Sequence, residues 1–299
     1  MNPAWTQLPE RGNSTALRAM GWIALHIGRP VGRALLYPIT LYFLLAATAA
    51  RRGSQRYLGR ILNREPRWQD SFRHIHCFAA TLLDRIYLLA GQLDRFEIDL
   101  HNDQLILDQV ASGQGCILLG SHLGSFEALR ALGVTRHRLP LRILMNTRHN
   151  QGITRFFQTL NPELAQTIIP IGGPETLLQL RENVEQGFLV GLLGDRVAPG
   201  EKTVRCQFLG GEAAFPAGPL TLAALACCPV ILFFGLYRGG NRYELHFERL
   251  ADLIVLDRSQ RQAQLGDWMQ RYADRLAHYA RLAPDNWFNF YDYWGEDAT

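Results

Sequence analysis

Short apolar runs that alternate with helical segments constrain the fold of this chain more than any other feature. Runs such as "CILLG" (116–120) and "VILFFGLY" (230–237) are apolar throughout, without the polar alternation of a half-exposed strand. Continuous apolar strands of this kind are buried on both faces, as in sheets that helices cover. We therefore predict an α/β fold with a mixed, mostly parallel central sheet covered by helices.

The same patterns predict where the individual elements lie. The predicted strands are 116–120, 141–146, 166–171, 188–195, 203–209, 230–237 and 242–250. The predicted helices are 125–133, 151–161, 174–186, 216–227 and 258–282, with a further helical pattern from about Trp68 to Gln92. The "RGGN" stretch between the last two strands is a hairpin signal, which makes the sheet mixed.

An uncharged segment near the N-terminus stands apart from this pattern. It runs from Ala34 to Ala50 and has an arginine at each side. With about 17 residues it is at the lower limit for a membrane span, so it is a membrane anchor, a helix lying in the interface, or a buried core helix. We divide the chain into an N-terminal segment, 1–67, with this helix at about 34–50, and an α/β domain, 68–299.

Composition narrows the choice of ligands and partners. The net charge is +4, and Lys202 is the one lysine among 31 basic residues. An arginine excess suits phosphates and carboxylates, whether on an anionic membrane, a nucleic acid or an acidic protein. The five cysteines form no C-x-x-C pair, and we interpret them as reduced core residues. No zinc framework, P-loop or dinucleotide fingerprint is present, and the remaining histidines have no spacing typical of a metal site.

One stretch carries the chemistry: "GSHLGSFE", which follows the 116–120 strand. Ligand sites in open α/β sheets lie at the carboxyl ends of strands, which places His122 at that edge. Gly124 and Ser125 suit a bend and a helix N-cap, and such a bend would bring Glu127 back to His122. A carboxylate on one imidazole nitrogen raises the basicity of the other. The alternative is a structural histidine with Glu127 interacting with the helix dipole.

Five motifs occur together in a defined order. They are "GSHLGSFE" (120–127), "MNTRHN" (145–150), "GFLVGLLGDRVAPG" (187–200), "FLGGEAAFPAGPLTLA" (208–223) and the aromatic "APDNWFNFYDYW" (283–294). With the apolar N-terminal segment before them, they resemble the bacterial lipid A biosynthesis (lauroyl/myristoyl) acyltransferases, within the lysophospholipid acyltransferase superfamily. The resemblance extends over most of the chain, and it makes residues 68–299 an acyltransferase domain.

The resemblance implies a catalytic pair and an anion-binding group. His122 would be the general base on an acceptor hydroxyl, and Glu127 would hold and charge it. Arg148 would bind anionic oxygens of the acceptor or steady the oxyanion, or else be an ordinary surface arginine. Asn150 is either the N-cap of the 151–161 helix or a substrate ligand.

Other positions would shape the substrate site. Asp195 and Arg196 would form a pair at its rim, or a loop salt bridge. Phe215 and Pro216 would shape the acyl groove, with Gly124 and Ser125 in the turn. The aromatic residues of 287–294 would close the core or lie at a membrane interface.

The resemblance also implies partners and location. The donor would be acyl–acyl carrier protein, with acyl-CoA as the alternative, and no metal or organic cofactor would be needed. The acceptor would be a glycolipid or lipid A-like lipid, the protein would lie on the cytoplasmic face of the cell inner membrane, and nucleic acid would not be a partner. Arg196 stands where family members often have glutamine, and the end "NFYDYWGED" is acidic where the lipid A enzymes usually end in basic residues. A lysolipid, ornithine-type lipid or aryl-polyene lipid therefore remains an alternative acceptor, as does a catalytically silent lipid-binding role.

Overall fold

The computed structural model describes residues 14–135, 139–145, 160, 167–173 and 175–295. Seven strands form the main sheet in the order β1-β9-β8-β2-β5-β3-β4, and β6 pairs with β7 in a separate antiparallel ribbon. The strands are β1 (Glu97–His101), β2 (Cys116–Gly120), β3 (Leu141–Met145), β4 (Ile168–Pro170), β5 (Leu189–Leu193), β6 (Thr203–Phe208), β7 (Gly211–Pro216), β8 (Val230–Tyr237) and β9 (Arg242–Ala251). The helices are α1 (Ser14–His26), α2 (Arg29–Ala46), α3 (Thr48–Leu62), α4 (Trp68–Leu89), α5 (Gln104–Ala111), α6 (Phe126–Thr135), α7 (Glu175–Glu185), α8 (Gly218–Ala226) and α9 (Arg261–Leu282).

This architecture confirms the predicted α/β class. Strands β2, β3, β4, β5 and β8 are parallel to one another, and β9 returns antiparallel to β8 through the predicted hairpin. Two strands are absent from the prediction. Short β1 pairs with β9 at the sheet edge, and β7 occupies residues predicted as the approach to a helix. Because β7 continues to Pro216, α8 begins at Gly218 rather than at residue 216. The predicted helix 151–161 lies almost entirely outside the described residues.

Helices cover both faces of the main sheet, which explains its continuous apolar strands. In β2, Ile117 and Leu119 face a buried cluster that includes α8 and α9, whereas Cys116 and Leu118 face a cluster that includes α4 and α6. Side chains alternate between the faces of a strand, so burial of both faces demands apolar residues at every position.

The uncharged N-terminal segment is divided between two helices. Within the described part of the chain, no single helix has both the length and the apolar character to cross a bilayer. Together α2 and α3 have the length and apolar composition of a membrane span, but they meet at a bend of 95°. The predicted anchor at 34–50 therefore does not form one continuous helix, because α2 ends at Ala46. The boundary between residues 67 and 68 stays a prediction.

Helix α2 is attached to the α/β body by a buried ion pair. Asp84 of α4 is fully buried and accepts two hydrogen bonds from the Arg29 guanidinium, at 2.8 and 3.0 Å. The Tyr243 hydroxyl donates to the same carboxylate at 3.0 Å. Burial raises the pKa of Asp84, although these donors favour its charged form. The beginning of α2 is thereby connected to both α4 and β9.

Apolar residues also lie on the outer face of α2. Its inner face buries Gly32, Leu36, Thr40 and Leu44. The outer face exposes Val31, Tyr37, Leu41, Tyr42 and Leu45, which we call the α2 stripe. Leu45 is 65% exposed, and Trp68 is 61% exposed at the start of α4. A crevice of about 480 Å³ lies at the α2–α3 bend, lined by Leu41, Leu44, Leu45, Arg51, Gln55 and Trp68.

Candidate active site

The register of β2 and β5 brings two polar side chains together at the carboxyl edge of the sheet. The two strands are parallel, and Gly120 lies opposite Leu193. His122 and Asp195 each come two residues after this aligned pair. Residues that leave adjacent parallel strands at the same level are neighbours, and this edge is where α/β proteins place their ligands.

The carboxylate of Asp195 contacts both the backbone N–H and the imidazole ring of His122. The backbone N–H of His122 donates to the two carboxylate oxygens, each at 3.0 Å, and ring atom Nδ1 lies 2.8 Å from Asp195 Oδ1. The side chain of Asp195 is 1% exposed, whereas that of His122 is 31% exposed. The pair therefore has a buried carboxylate and an imidazole that reaches the surface.

The protonation of this pair follows from its surroundings. Burial alone would raise the pKa of Asp195, but the charge and hydrogen bond of His122, with further contributions from Arg196 and Trp287, hold it at about 2. Burial and the positive charge of Arg196 lower the pKa of His122 against the opposing effect of Asp195. An ionised carboxylate only accepts hydrogen bonds, so Nδ1 carries the proton. Ring atom Nε2 is then unprotonated and available as a base.

The aromatic C-terminal segment closes the buried side of the site. Trp287 Nε1 donates to Asp195 Oδ2 at 2.9 Å, and the Tyr293 hydroxyl donates to the Asp195 carbonyl at 2.9 Å. The backbone N–H of Phe288 donates to the His122 carbonyl at 2.9 Å. His74 of α4 is fully buried, and its Nε2 lies 2.9 Å from the Trp287 carbonyl. Of the two interpretations of this segment, burial of its aromatic rings supports core closure.

The turn after His122 requires glycine and ends in a helix cap. Gly124 has a φ of +68°, and a Cβ there would lie 1.8 Å from the carbonyl oxygen of Gly235 on β8. The Ser125 side-chain oxygen accepts a hydrogen bond from the backbone N–H of Ala128 at 3.3 Å. The predicted bend and N-cap are confirmed, and they turn the chain tightly against β8 before α6 begins.

The predicted contact between Glu127 and His122 is wrong in this structure. Glu127 lies in the first turn of α6, on the side that faces α4. Arg85 Nη2 is 2.7 Å from its Oε1, and Arg130 Nη1 is 3.5 Å from its Oε2. Glu127 is thus the buried centre of an Arg–Glu–Arg cluster, and Asp195 occupies the position that was predicted for it beside the imidazole.

The other predicted site residues have different outcomes. Arg148 and Asn150 lie outside the described residues. Asp195 is buried rather than part of a rim, and Arg196 Nη2 donates to the Phe288 carbonyl at 2.8 Å. Phe215 and Pro216 end β7, where Phe215 is fully buried against Phe208, Tyr272 and Tyr293.

Sequence reasoning missed two contacts that support the pair, although one of its interpretations placed Trp287 in an aromatic segment that closes the core. The Trp287 hydrogen bond to Asp195 and the His74 contact with the Trp287 carbonyl come from segments remote in the chain, so no local spacing identifies them. The pairing of His122 with Asp195 did have a signal. His122 comes just after the predicted strand 116–120 and Asp195 ends the predicted strand 188–195, so alignment of these two parallel strand ends would have joined them.

The fold and the site define an α/β protein with a histidine–carboxylate pair at the carboxyl edge of its sheet. The bacterial lipid A biosynthesis acyltransferase model matches residues 90–295, which is more than half of the chain. The chain therefore belongs to that family, as its motifs predicted. The family is one of acyltransferases, which supports a transferase activity for this chain. A search of the curated proteins found no match.

Proposed function

We propose that this protein is a membrane-associated O-acyltransferase that moves a fatty acyl chain from an acyl thioester to a hydroxyl of a lipid acceptor. The observation that carries this proposal is the 2.8 Å contact between His122 Nδ1 and Asp195, which leaves Nε2 as a free base at the open edge of the sheet. Family membership supports acyl transfer as the reaction class. No chemical step requires a protein nucleophile.

The reaction needs two proton transfers and one bond exchange. His122 Nε2 takes the proton of the acceptor hydroxyl, and the oxygen attacks the thioester carbonyl. The C–S bond breaks as the new C–O bond forms, and the thiolate leaves with the proton that His122 returns. Asp195 stabilises the imidazolium that exists between these transfers and fixes the ring orientation. Arg148 remains our candidate for binding anionic oxygens of the acceptor.

The proposed donor is acyl–acyl carrier protein, and the proposed acceptor is a glycolipid of the lipid A type. The carrier protein is acidic, which the net charge of +4 and the arginine excess suit. The His122–Asp195 pair would act in the same way with other substrates. These are acyl-CoA as donor, and a lysolipid, ornithine-type or aryl-polyene lipid as acceptor. The acceptor is therefore the part of the proposal that depends most on the family.

We place the protein on the cytoplasmic face of the cell inner membrane, with α2 lying in the interface. The α2 stripe supports this placement, because the apolar residues at positions 31, 37, 41, 42 and 45 form one exposed face. Arg51 lies beside the same face, in the crevice at the α2–α3 bend, where its charge suits a lipid phosphate. Helix α3 continues from this bend and reaches the segment that closes the active site, since Arg56 lies 3.1 Å from Asp292.

The activity is tested by release of free thiol from acyl–acyl carrier protein in the presence of bacterial lipid extract. We expect turnover by the intact protein and a loss of about 10²–10⁴ in rate for His122→Ala. Mass spectrometry of lipids from cells with and without the protein would identify the acceptor by its missing acyl chain. A folded His122→Ala protein that turns over at the wild-type rate would refute the mechanism.

Membrane attachment has a separate test. Leu41→Glu with Leu45→Glu should reduce binding to anionic phospholipid vesicles, because two charges would enter the α2 stripe. Leu178→Glu is the control for one added charge outside the α2 stripe, since Leu178 on helix α7 is 59% exposed, between Leu41 at 46% and Leu45 at 65%. Equal vesicle binding by the wild-type protein, the double variant and the control would show that the α2 stripe does not contact the membrane. All three proteins should remain active on acceptor dispersed in detergent.

A further inference from the structure

Three metal-ligating side chains meet on one face of the sheet edge, away from the catalytic pair. His101 of β1 is aligned with His246 of β9, and Glu244 comes two residues before His246. Residues two apart on a strand face the same side, and aligned residues of adjacent strands are neighbours. The candidate ligand atoms of these three residues all lie within 4.8 Å of one another. Strand β8 separates β9 from β2, which leads to His122.

We propose that His101, Glu244 and His246 bind a divalent transition-metal ion of the zinc class. Two imidazoles and one carboxylate suit Zn²⁺, Co²⁺ or Ni²⁺, whereas Mg²⁺ and Ca²⁺ prefer oxygen ligands alone. This proposal does not depend on the acyl-transfer reaction. It also differs from the sequence prediction, in which the histidine spacing indicated no metal site, because residues 101 and 246 meet only through strand pairing.

One ligand separation already matches that of tetrahedral coordination. His246 Nε2 lies 3.3 Å from Glu244 Oε2. Two ligand atoms at about 2.0–2.1 Å from a tetrahedral zinc ion lie about 3.4 Å apart, so these two atoms already have the required separation. The two imidazole rings are stacked, with centroids 4.2 Å apart and planes 3° apart. His101 is exposed, and binding would require its ring to turn out of this stack toward the ion.

Neighbouring side chains hold two of the three ligands. Arg238 Nη2 lies 2.8 Å from Glu244 Oε2, and Arg238 Nη1 donates to the Leu282 carbonyl at 2.9 Å. The Tyr279 ring packs against His246 with centroids 5.0 Å apart. Contacts of this kind orient ligands around bound metals. A bound ion would join the edge strand β1 to β9, so it should stabilise the fold as well as bind.

The test uses the full-length protein in detergent, without a histidine tag and freed of metal with a chelator. Titration with Co²⁺ followed by visible absorption, and with Zn²⁺ by calorimetry, should give one site per chain. Zn²⁺ should also raise the midpoint of thermal unfolding, because it binds the folded state. Neither Mg²⁺ nor Ca²⁺ at the same concentration should produce these effects.

Variants locate the site. His101→Ala, Glu244→Gln and His246→Ala should each weaken binding by about tenfold or more. His278→Ala and Cys227→Ser are controls, since both side chains are exposed outside the cluster and are metal ligands by type. Circular dichroism checks folding, and Glu244→Gln preserves the shape of its side chain. Absence of saturable Zn²⁺ binding, binding that survives both His101→Ala and His246→Ala, or binding lost in a control would each overturn the proposal.

Discussion

Asp195→Asn is the most informative change, because it distinguishes between the two carboxylates, Asp195 and Glu127, that are candidates for the partner of His122. Asp195 accepts hydrogen bonds from the His122 backbone N–H, from Nδ1 and from Trp287 Nε1, at 3.0, 2.8 and 2.9 Å. Asparagine has one acceptor oxygen and an NH₂ group, so at least one of these donors would face another donor. If that donor is Nδ1, the imidazole moves its proton to Nε2, and Nε2 can then no longer accept the proton of the acceptor hydroxyl.

The expected loss has a kinetic and a thermodynamic part. We expect kcat to fall by about 10²–10⁴, the usual contribution of a positioned general base. The unsatisfied buried donor should lower the free energy of unfolding by about 1–3 kcal/mol. Thiol release at saturating donor and acceptor measures the first quantity, and denaturant unfolding of the purified protein measures the second.

The pH dependence supplies a readout that a structural role would not change. Activity requires neutral His122, so it falls as pH decreases through the His122 pKa. The pKa of His122 is already below its ordinary value. The negative charge of Asp195 raises this pKa, so removal of that charge should lower the pKa further. The acid limb of the kcat/KM profile should therefore move to lower pH while the plateau falls.

Glu127→Gln is the matched control, because it neutralises the other carboxylate. Glu127 pairs with Arg85 and Arg130, so loss of its charge should lower the free energy of unfolding and leave kcat close to the wild-type value. A folded Asp195→Asn protein with wild-type kcat would refute the assignment of Asp195. So would a Glu127→Gln protein of wild-type stability whose kcat falls by the larger factor, since Glu127 would then be the partner of His122.

Three further predictions follow from contacts around the site and the N-terminal helices. Trp287→Phe removes one hydrogen bond to the Asp195 carboxylate, so kcat in the thiol-release assay should fall about tenfold, with the protein still folded by circular dichroism; an unchanged kcat would contradict this. Gly124→Ala places a Cβ 1.8 Å from a β8 carbonyl, so thermal unfolding should show strong destabilisation, and a wild-type midpoint would exclude the described turn. Asp84→Asn leaves Arg29 without its buried partner and should cost about 3–5 kcal/mol by denaturant unfolding; a loss below 1 kcal/mol would show that this pair does not hold α2.

Sequence patterns predicted most of the main sheet because its strands are buried on both faces. Strands β2 and β8 have the predicted bounds, since uninterrupted apolar runs mark their whole length. Strand β1 was missed because "EIDLH" is half exposed at the sheet edge and lacks such a run. Strand β7 was missed because its "GEAAFP" sequence lies in a two-stranded ribbon with β6, outside the main sheet, and its small residues carry little strand preference.

The candidate site was predicted in part. The part that was missed depends on tertiary contacts between segments remote in the chain. The position of His122 followed from the end of an apolar strand, and the bend and cap followed from Gly124 and Ser125. The partner carboxylate did not follow, because proximity in sequence favoured Glu127. Helix α6 directs that side chain toward α4, where Arg85 lies, and only strand register brings Asp195 to the imidazole. Local spacing cannot decide between two carboxylates when one of them comes from another strand.

The closing of the site by the aromatic segment has a consequence for the order of folding. His122, Asp195 and Trp287 come from positions separated by 73 and 92 residues, and the Trp287 carbonyl is held by His74, which is 213 residues away. Contacts of such long range require closure of large loops and form late. A central sheet completed before the aromatic segment packs would therefore have His122 beside Asp195 but lack the Trp287 hydrogen bond to that carboxylate, and full enzymatic activity should return only after the segment has closed over the site.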